Sequence, residues 1–295
     1  MSEPAAASVQ TAYSLYAGSA YDPAAAGDAV AWQRPGGVAL IRRGGDTSAL
    51  PGTHPALAGG RVAWREGDTA VIADLGSLER RERHDAPGAG VIALSDAVLA
   101  WRARDGAGTD RLWARVLGAA GAPRLLLQAT APTEIGRPAL LGGVVLCHLA
   151  GPRGSRLYAI DATSGDREVL RAEPGAQLSN PSTDGARMLY VRATGRQQEL
   201  RLGAPVPLAP RDDQLLLVHA ASGRRDRERE PGRRHHRQGY RGGRPALPPR
   251  APAGVVATLW STALGLDAAY VTRLRAVGIG SRTADILRVP AALPG

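Results

Sequence analysis

The sequence predicts an all-β fold: a β-propeller, read as six blades of four-stranded antiparallel sheets, with seven blades as the alternative. Three observations predict it. An apolar unit ending in an aromatic or sulfur residue recurs along the chain. The units are spaced by 32, 37, 46 and 43 residues, close to the ~40–50 residues of a propeller blade. And 37 Gly and 22 Pro punctuate the chain too densely for helices, while no i, i+3, i+4, i+7 apolar stripe is present.

The first copies of the unit are Val30-Ala31-Trp32, Val62-Ala63-Trp64 and Leu99-Ala100-Trp101, followed by Val145-Leu146-Cys147 and Met188-Leu189-Tyr190. Pro23, Pro55, Pro138 and Pro181 each precede their anchor by nine residues, with Ile92 in the remaining copy. Gly27, Gly59, Gly142 and Gly185 precede it by five, with Asp96 in that same copy. A proline can open a strand but cannot donate within a ladder, glycine supplies a tight turn, and the apolar tripeptide reads as a strand buried on both faces. Downstream comes strand, turn, strand. The clearest example is Leu157–Asp161, a turn at Ala162–Gly165, then Arg167–Leu170. Thr69–Leu75 with Leu78–His84, and Arg111–Leu117 with Pro123–Gln128, repeat the pattern. Each unit is thus four short strands.

After Tyr190 the unit continues through Gln198–Gly203 and Asp213–Ala220, then stops for about 30 residues. It resumes at Ala257–Trp260, which makes Trp260 the expected sixth anchor. Taking Tyr270 instead, five residues after Gly265, would hide a seventh blade in the gap. Val9 to Tyr16 is expected to pair with the last blade and remove an exposed edge. The expected organisation is an N-terminal segment 1–20, blades one to five over 21–221, an Arg-rich low-complexity insertion 222–252 and a closing blade 253–295.

The Pro-x3-Gly-x4-aromatic unit resembles the short repeats of TolB-like six-bladed propellers. Asn180-Pro-Ser-Thr-Asp-Gly185 followed by Met188-Leu-Tyr190 is the copy most similar to that family's Ser-Pro-Asp-Gly turn, and the turn is degenerate in the first three copies. Thr258–Leu264 with Ala269–Leu274 looks like the closing blade of actinobacterial proteins of that type. The resemblance covers about residues 20 to 290 and implies a scaffold for protein interaction or ligand binding, usually exported. Met1 to Ala20 carries Glu3 and no basic residue, which does not read as a secretory signal. Cytoplasmic residence is the default expectation, and an extracytoplasmic one if the true start lies upstream.

The composition excludes some chemistry. The chain contains no Phe, and all 37 basic residues are arginine, so there is no Schiff-base or P-loop lysine. One cysteine, Cys147, permits neither an intrachain disulfide nor a Cys-cluster zinc site, and in an apolar strand it reads as a small buried hydrophobe. No nucleophile elbow, His-Glu-x-x-His or EF-hand loop occurs, and Gly278-Ile-Gly280 lacks the third glycine of a dinucleotide fingerprint. No catalytic, cofactor or metal residues are therefore assigned. Asp161 to Asp166 reads as a turn. Among the histidines at 54, 84, 148, 219, 235 and 236, His54 stands out because it precedes a repeat proline and could face a central channel. His235-His236 lies among Arg233, Arg234 and Arg237, whose charges disfavour a cation. Trp32, Trp64 and Trp101 are expected to pack between adjacent sheets.

The net charge is +10 and the pI about 10.8. Residues 222–250 hold ten arginines against three acids, so most of the excess sits in one stretch. That stretch reads first as a solvated insertion. Its functional reading is a polyanion contact through Arg224, Arg225, Arg233, Arg234, Arg237, Arg241 and Arg244, since Arg forks suit phosphate and carboxylate. Tyr240 alone could stack on a base. No run approaches the ~20 apolar residues of a membrane-spanning helix. The expected function is a non-catalytic scaffold, acting as a monomer, whose partner is a protein or a small ligand. The alternatives are an enzyme with its site in the central channel and a polyanion binder.

Overall fold

Short apolar strands joined by tight Gly and Asp turns leave each strand no nearer partner than the one that follows it, so the chain folds as a series of antiparallel meanders. The computed structural model describes residues 10–13, 21–34, 39–44, 46–184, 186–195, 197–203, 214–220, 256–265, 268–276 and 282–290. The first sheet comprises β2 (Tyr21–Ala26), β3 (Ala29–Gln33), β4 (Ala39–Arg43) and β5 (Asp46–Leu50). The second comprises β6 (Thr53–Ala58), β7 (Arg61–Glu66), β8 (Thr69–Asp74) and β9 (Arg80–Asp85), and the third β10 (Ala89–Leu94), β11 (Val98–Arg104), β12 (Thr109–Val116) and β13 (Arg124–Thr130). The fourth holds β14 (Glu134–Ile135), β15 (Ala139–Leu141), β16 (Val144–Gly151), β17 (Gly154–Asp161) and β18 (Arg167–Ala172). The fifth holds β19 (Gln177–Thr183), β20 (Met188–Thr194), β21 (Gln197–Gly203) and β22 (Gln214–Ala220). In the last, β23 (Val256–Leu264), β24 (Ala268–Ala276) and β25 (Arg282–Pro290) are joined by β1 (Gln10–Tyr13), which pairs antiparallel with β25.

The architecture is an all-β propeller. Among the described residues, five of its sheets are four-stranded blades, and the fourth sheet departs from the expected strand count. Its first strand is split into β14 and β15, both paired with β16. The intervening Gly136-Arg137-Pro138 interrupts the ladder because proline has no N–H to donate. The split is an exaggerated form of a common device. Every sheet carries one extra residue in its first strand, between Tyr21 and Ala24, Thr53 and Ala56, Ala89 and Val91, Ile135 and Ala139, Ser179 and Ser182, and Leu259 and Thr262. Such a bulge re-aims the side chains it carries.

The cores lie between neighbouring sheets. Trp64 fills the junction of the first and second sheets with Leu50 and Val71, Trp101 that of the second and third, Cys147 that of the third and fourth, and Tyr190 that of the fourth and fifth. Leu189 and Leu200 pack on Leu259 and Leu287 between the fifth and last sheets, and Trp32 meets Ile286 between the last and first. Trp101 also stacks on Trp113, with ring centroids 6.5 Å apart. Trp32, Trp64 and Trp101 are inter-sheet filling, as their recurrence predicted. Gly52 is required by this packing: a Cβ there would lie 2.6 Å from the Trp64 ring and 2.2 Å from the Arg65 carbonyl oxygen.

The sixth anchor is neither Trp260 nor Tyr270. Trp260 lies on the first strand of its sheet, β23. In the first, second and fifth sheets the anchor stands opposite the bulge, and in the last sheet that place belongs to Thr272, between Val271 and Arg273. Thr272 is fully buried and its hydroxyl lies 2.9 Å from that of Ser261. The turn before β24 is two residues longer than in the first blade, where Ala26 pairs Ala29; here Leu264 pairs Ala269. The longer turn moves the anchor out of its expected offset from Gly265.

Candidate functional site at the channel mouth

The first strands of the sheets face a narrow axial channel, lined by Pro23, Ala56, Ile92, Pro138, Pro181, Thr262 and their neighbours. Its cavity volume is about 80 Å³, room for a few waters or a small terminal group. The residue before each repeat proline sits on the bulge. Asp22, His54 and Asn180 take φ values of 52°, 51° and 52° there, a left-handed conformation that Asp, His and Asn tolerate better than other side chains. Local backbone geometry thus accounts for these residue types, and it sets the Asp22 and His54 side chains beside Arg137, which lines the channel.

The ring order of the sheets sets the first and fourth on opposite sides. Arg137, between β14 and β15, spans the mouth to the first sheet, its Nη1 lying 3.0 Å from Asp22 Oδ1. His54 of the second sheet places Nδ1 3.4 Å from Asp22 Oδ2. Three sheets thus contribute one charged cluster, its side chains all less than a quarter exposed. Burial pushes the Asp22 carboxyl up, but the Arg137 guanidinium and the His54 ring outweigh it and hold the carboxyl below its usual range. The Asp22 N–H donates to Ser261 Oγ at 3.2 Å.

This is not a nucleophilic triad. The carboxylate stands between the serine and the histidine, no hydrogen bond joins His54 to Ser261, and Ser261 is buried against Thr272. An activated hydroxyl needs the histidine as its direct acceptor. The cluster instead offers a guanidinium and an imidazole on fixed backbone, the equipment for holding a small hydrogen-bonding or anionic group.

Side chains stitch neighbouring sheets together at four junctions behind this rim. Gln33 Oε1 accepts from the His54 N–H at 2.7 Å, His148 Nδ1 from the Asn180 N–H at 3.1 Å, Asp110 Oδ2 from the Ile135 N–H at 3.1 Å and Gln198 Oε1 from the Leu259 N–H at 2.7 Å. Gln33 and His148 are the residues that follow their anchors. Gly136 accommodates the His148 ring, since a Cβ there would lie 1.7 Å from it. Burial, with the Arg102 charge, pulls the His148 pKa down to about 4. His148 is therefore a neutral acceptor with a structural role. Asp110 is fully buried and accepts a forked contact from Arg102.

Of the residues singled out by sequence, His54 lies at the channel end. Cys147 is buried and its thiol is pushed up to about 12 by desolvation, which leaves it unreactive. Asp161 closes a turn by accepting the Thr163 and Ser164 N–H groups. Arg224, Arg225, Arg233, Arg234, Arg237, Arg241 and Arg244, like His235 and His236, lie outside the described residues. Asp22 and Arg137 were not singled out, and Asn180 only as part of a turn, although all three share with His54 the place before a repeat proline, polar in each copy that has the proline. Among the described residues no helix is long and apolar enough to cross a membrane.

No protein-family model matches the chain, and comparison with curated proteins finds no match. Solved structures do. An acylaminoacyl peptidase from Pyrococcus horikoshii is 13% identical with a TM-score of 0.52 over 93% of this chain and 46% of its own. An acylaminoacyl peptidase in complex with a Z-Gly-Gly-Phe-chloromethyl ketone is 11% identical with a TM-score of 0.51 over 93% and 46%. TolB from Acinetobacter baumannii is 12% identical, with a TM-score of 0.49 over 86% and 59%. This chain thus spans less than two thirds of those proteins. At such identities the likeness concerns the fold alone, and that to the two peptidases, with the sheets described above, identifies the chain as a β-propeller protein.

Proposed function

We propose that the chain is a six-bladed, TolB-like propeller acting as a non-catalytic binding scaffold, which engages a protein or a small ligand at the channel end where Arg137 crosses to Asp22. The observation that supports this reading is the convergence of Asp22, His54 and Arg137 from three sheets on one mouth. A photo-crosslinking residue in place of Val91, which occupies the equivalent column in the third sheet, should capture a partner in extract of the source cells. The same residue in place of Asp96, exposed on the turn after β10, should not. Arg137→Gln should abolish the capture at 91. Equal capture at both positions, or capture indifferent to Arg137→Gln, would move the binding site elsewhere.

The Asp22–His54 pair favours a second reading, an enzyme with its site in the channel. Turnover of an ester, peptide or glycoside panel that is lost in both Asp22→Asn and His54→Gln would replace the scaffold reading by that one.

A further inference from the structure

A cleft away from the channel has the make-up of a second binding site. It is bounded by the hairpin that joins β16 to β17, by Thr133 ahead of β14, and by Pro174 after β18, and its volume is about 560 Å³. That size falls in the range of small-molecule pockets. Leu149 and Arg156 are register partners, and Tyr158 follows two residues along on the same face, so an aliphatic floor, a guanidinium and an aromatic ring share one wall. The Tyr158 ring is half-buried against the junction of the third and fourth sheets and is fixed by that packing. Arg153, in the hairpin turn, and Arg156 are exposed and have no ion pair or hydrogen bond among the described residues. The one acid in the lining, Glu173, is held by Arg192, whose hydrogen bond keeps the carboxyl below its usual range. The Ser155 hydroxyl is occupied by the Leu178 backbone.

We propose that this cleft binds an amphipathic anion, a carboxylate or phosphate monoester carried on a flat or apolar body. The two guanidinium groups take the anionic end in forked hydrogen bonds, and Tyr158 with Leu149 takes the body. The site is independent of the channel-end reading, because none of its residues lines the channel.

Calorimetric titration of the full chain at low salt tests it, with phenyl phosphate, benzoate and inorganic phosphate as probes. Phenyl phosphate or benzoate should bind at least tenfold more tightly than inorganic phosphate, and the stronger of the two identifies the anionic group. Arg156→Gln and Arg153→Gln, both surface changes, should each weaken that binding about tenfold without altering the melting temperature. Tyr158→Leu should bring the aromatic probe to the level of inorganic phosphate. Binding that survives the Arg153→Gln/Arg156→Gln double variant would place the anion elsewhere on this basic chain and overturn the proposal, as would no binding of either aromatic probe at millimolar concentration.

Discussion

Trp64 illustrates how one side chain secures a junction. It is 1% exposed, packs between two sheets, and its Nε1 donates to Glu66 at 2.8 Å. Trp64→Ala removes that ring from a site whose backbone is pinned by the surrounding ladders, and should cost roughly 3–5 kcal/mol in denaturant melts. A midpoint equal to that of the parent would refute the packing role. His148 offers a test with a definite pH signature. Its folded pKa of about 4 lies below the ~6.5 of the unfolded chain. The unfolded state therefore binds the extra proton between those values, and the stability present above pH ~6.5 is lost as pH falls toward 4, by about 3 kcal/mol. His148→Gln should keep the bond to the Asn180 N–H, as Gln33 does for His54, while flattening the pH dependence. Chemical denaturation of both proteins between pH 4 and 7 gives the comparison, and parallel curves would show that His148 does not carry the effect.

At the scale of the element, most strands were legible because each carries its own evidence. Apolar tripeptides, turn glycines and strand-opening prolines are local features, and they located the second strands of the first five sheets. The last sheet was misread because Thr272 stands where the others have an aromatic or sulfur residue, and a longer turn changes the spacing. Of the channel-mouth cluster only His54 was legible, from its place before a repeat proline; Asp22 and Arg137 were not. Nothing in the chain order announces that Arg137 reaches across to Asp22, since that contact depends on the ring bringing opposite sheets face to face. The segment 222–250 contains no strand pattern and lies between β22 and β23, which belong to neighbouring sheets packed through Leu200 and Leu259. Replacing it with a short Gly-Ser linker should leave the fold intact, because loop-closure cost changes slowly with length. Far-UV circular dichroism and a cooperative melt of the shortened chain are the measurements. A molten product would mean that the segment supplies strands, and would restore the seven-blade count.

For the whole molecule the question is where its charge acts. Most of the net charge of +10 belongs to that same segment, so any contact with a polyanion should run through Arg224 to Arg244. Titration of a fluorescent oligonucleotide and of heparin at several salt concentrations should show steep weakening, with a log–log slope near ~0.9 per neutralised phosphate on duplex DNA, little preference for sequence, and loss on shortening the segment. Binding retained by the shortened chain would move the contact to the propeller itself, and absence of binding at low salt would remove polyanions from its partners.

The pairing of β1 with β25 carries a consequence for biosynthesis. β1 is completed only by β25, far downstream in the chain: Gln10 pairs Arg288. At ~5–20 residues per second, roughly 15–60 s pass between their emergence. Throughout that interval the opening strand has no native neighbour, and the growing arc of sheets ends in an uncovered flank. A nascent chain of this kind is exposed to capture by chaperones, or by the same strand of another nascent copy, until β25 is translated.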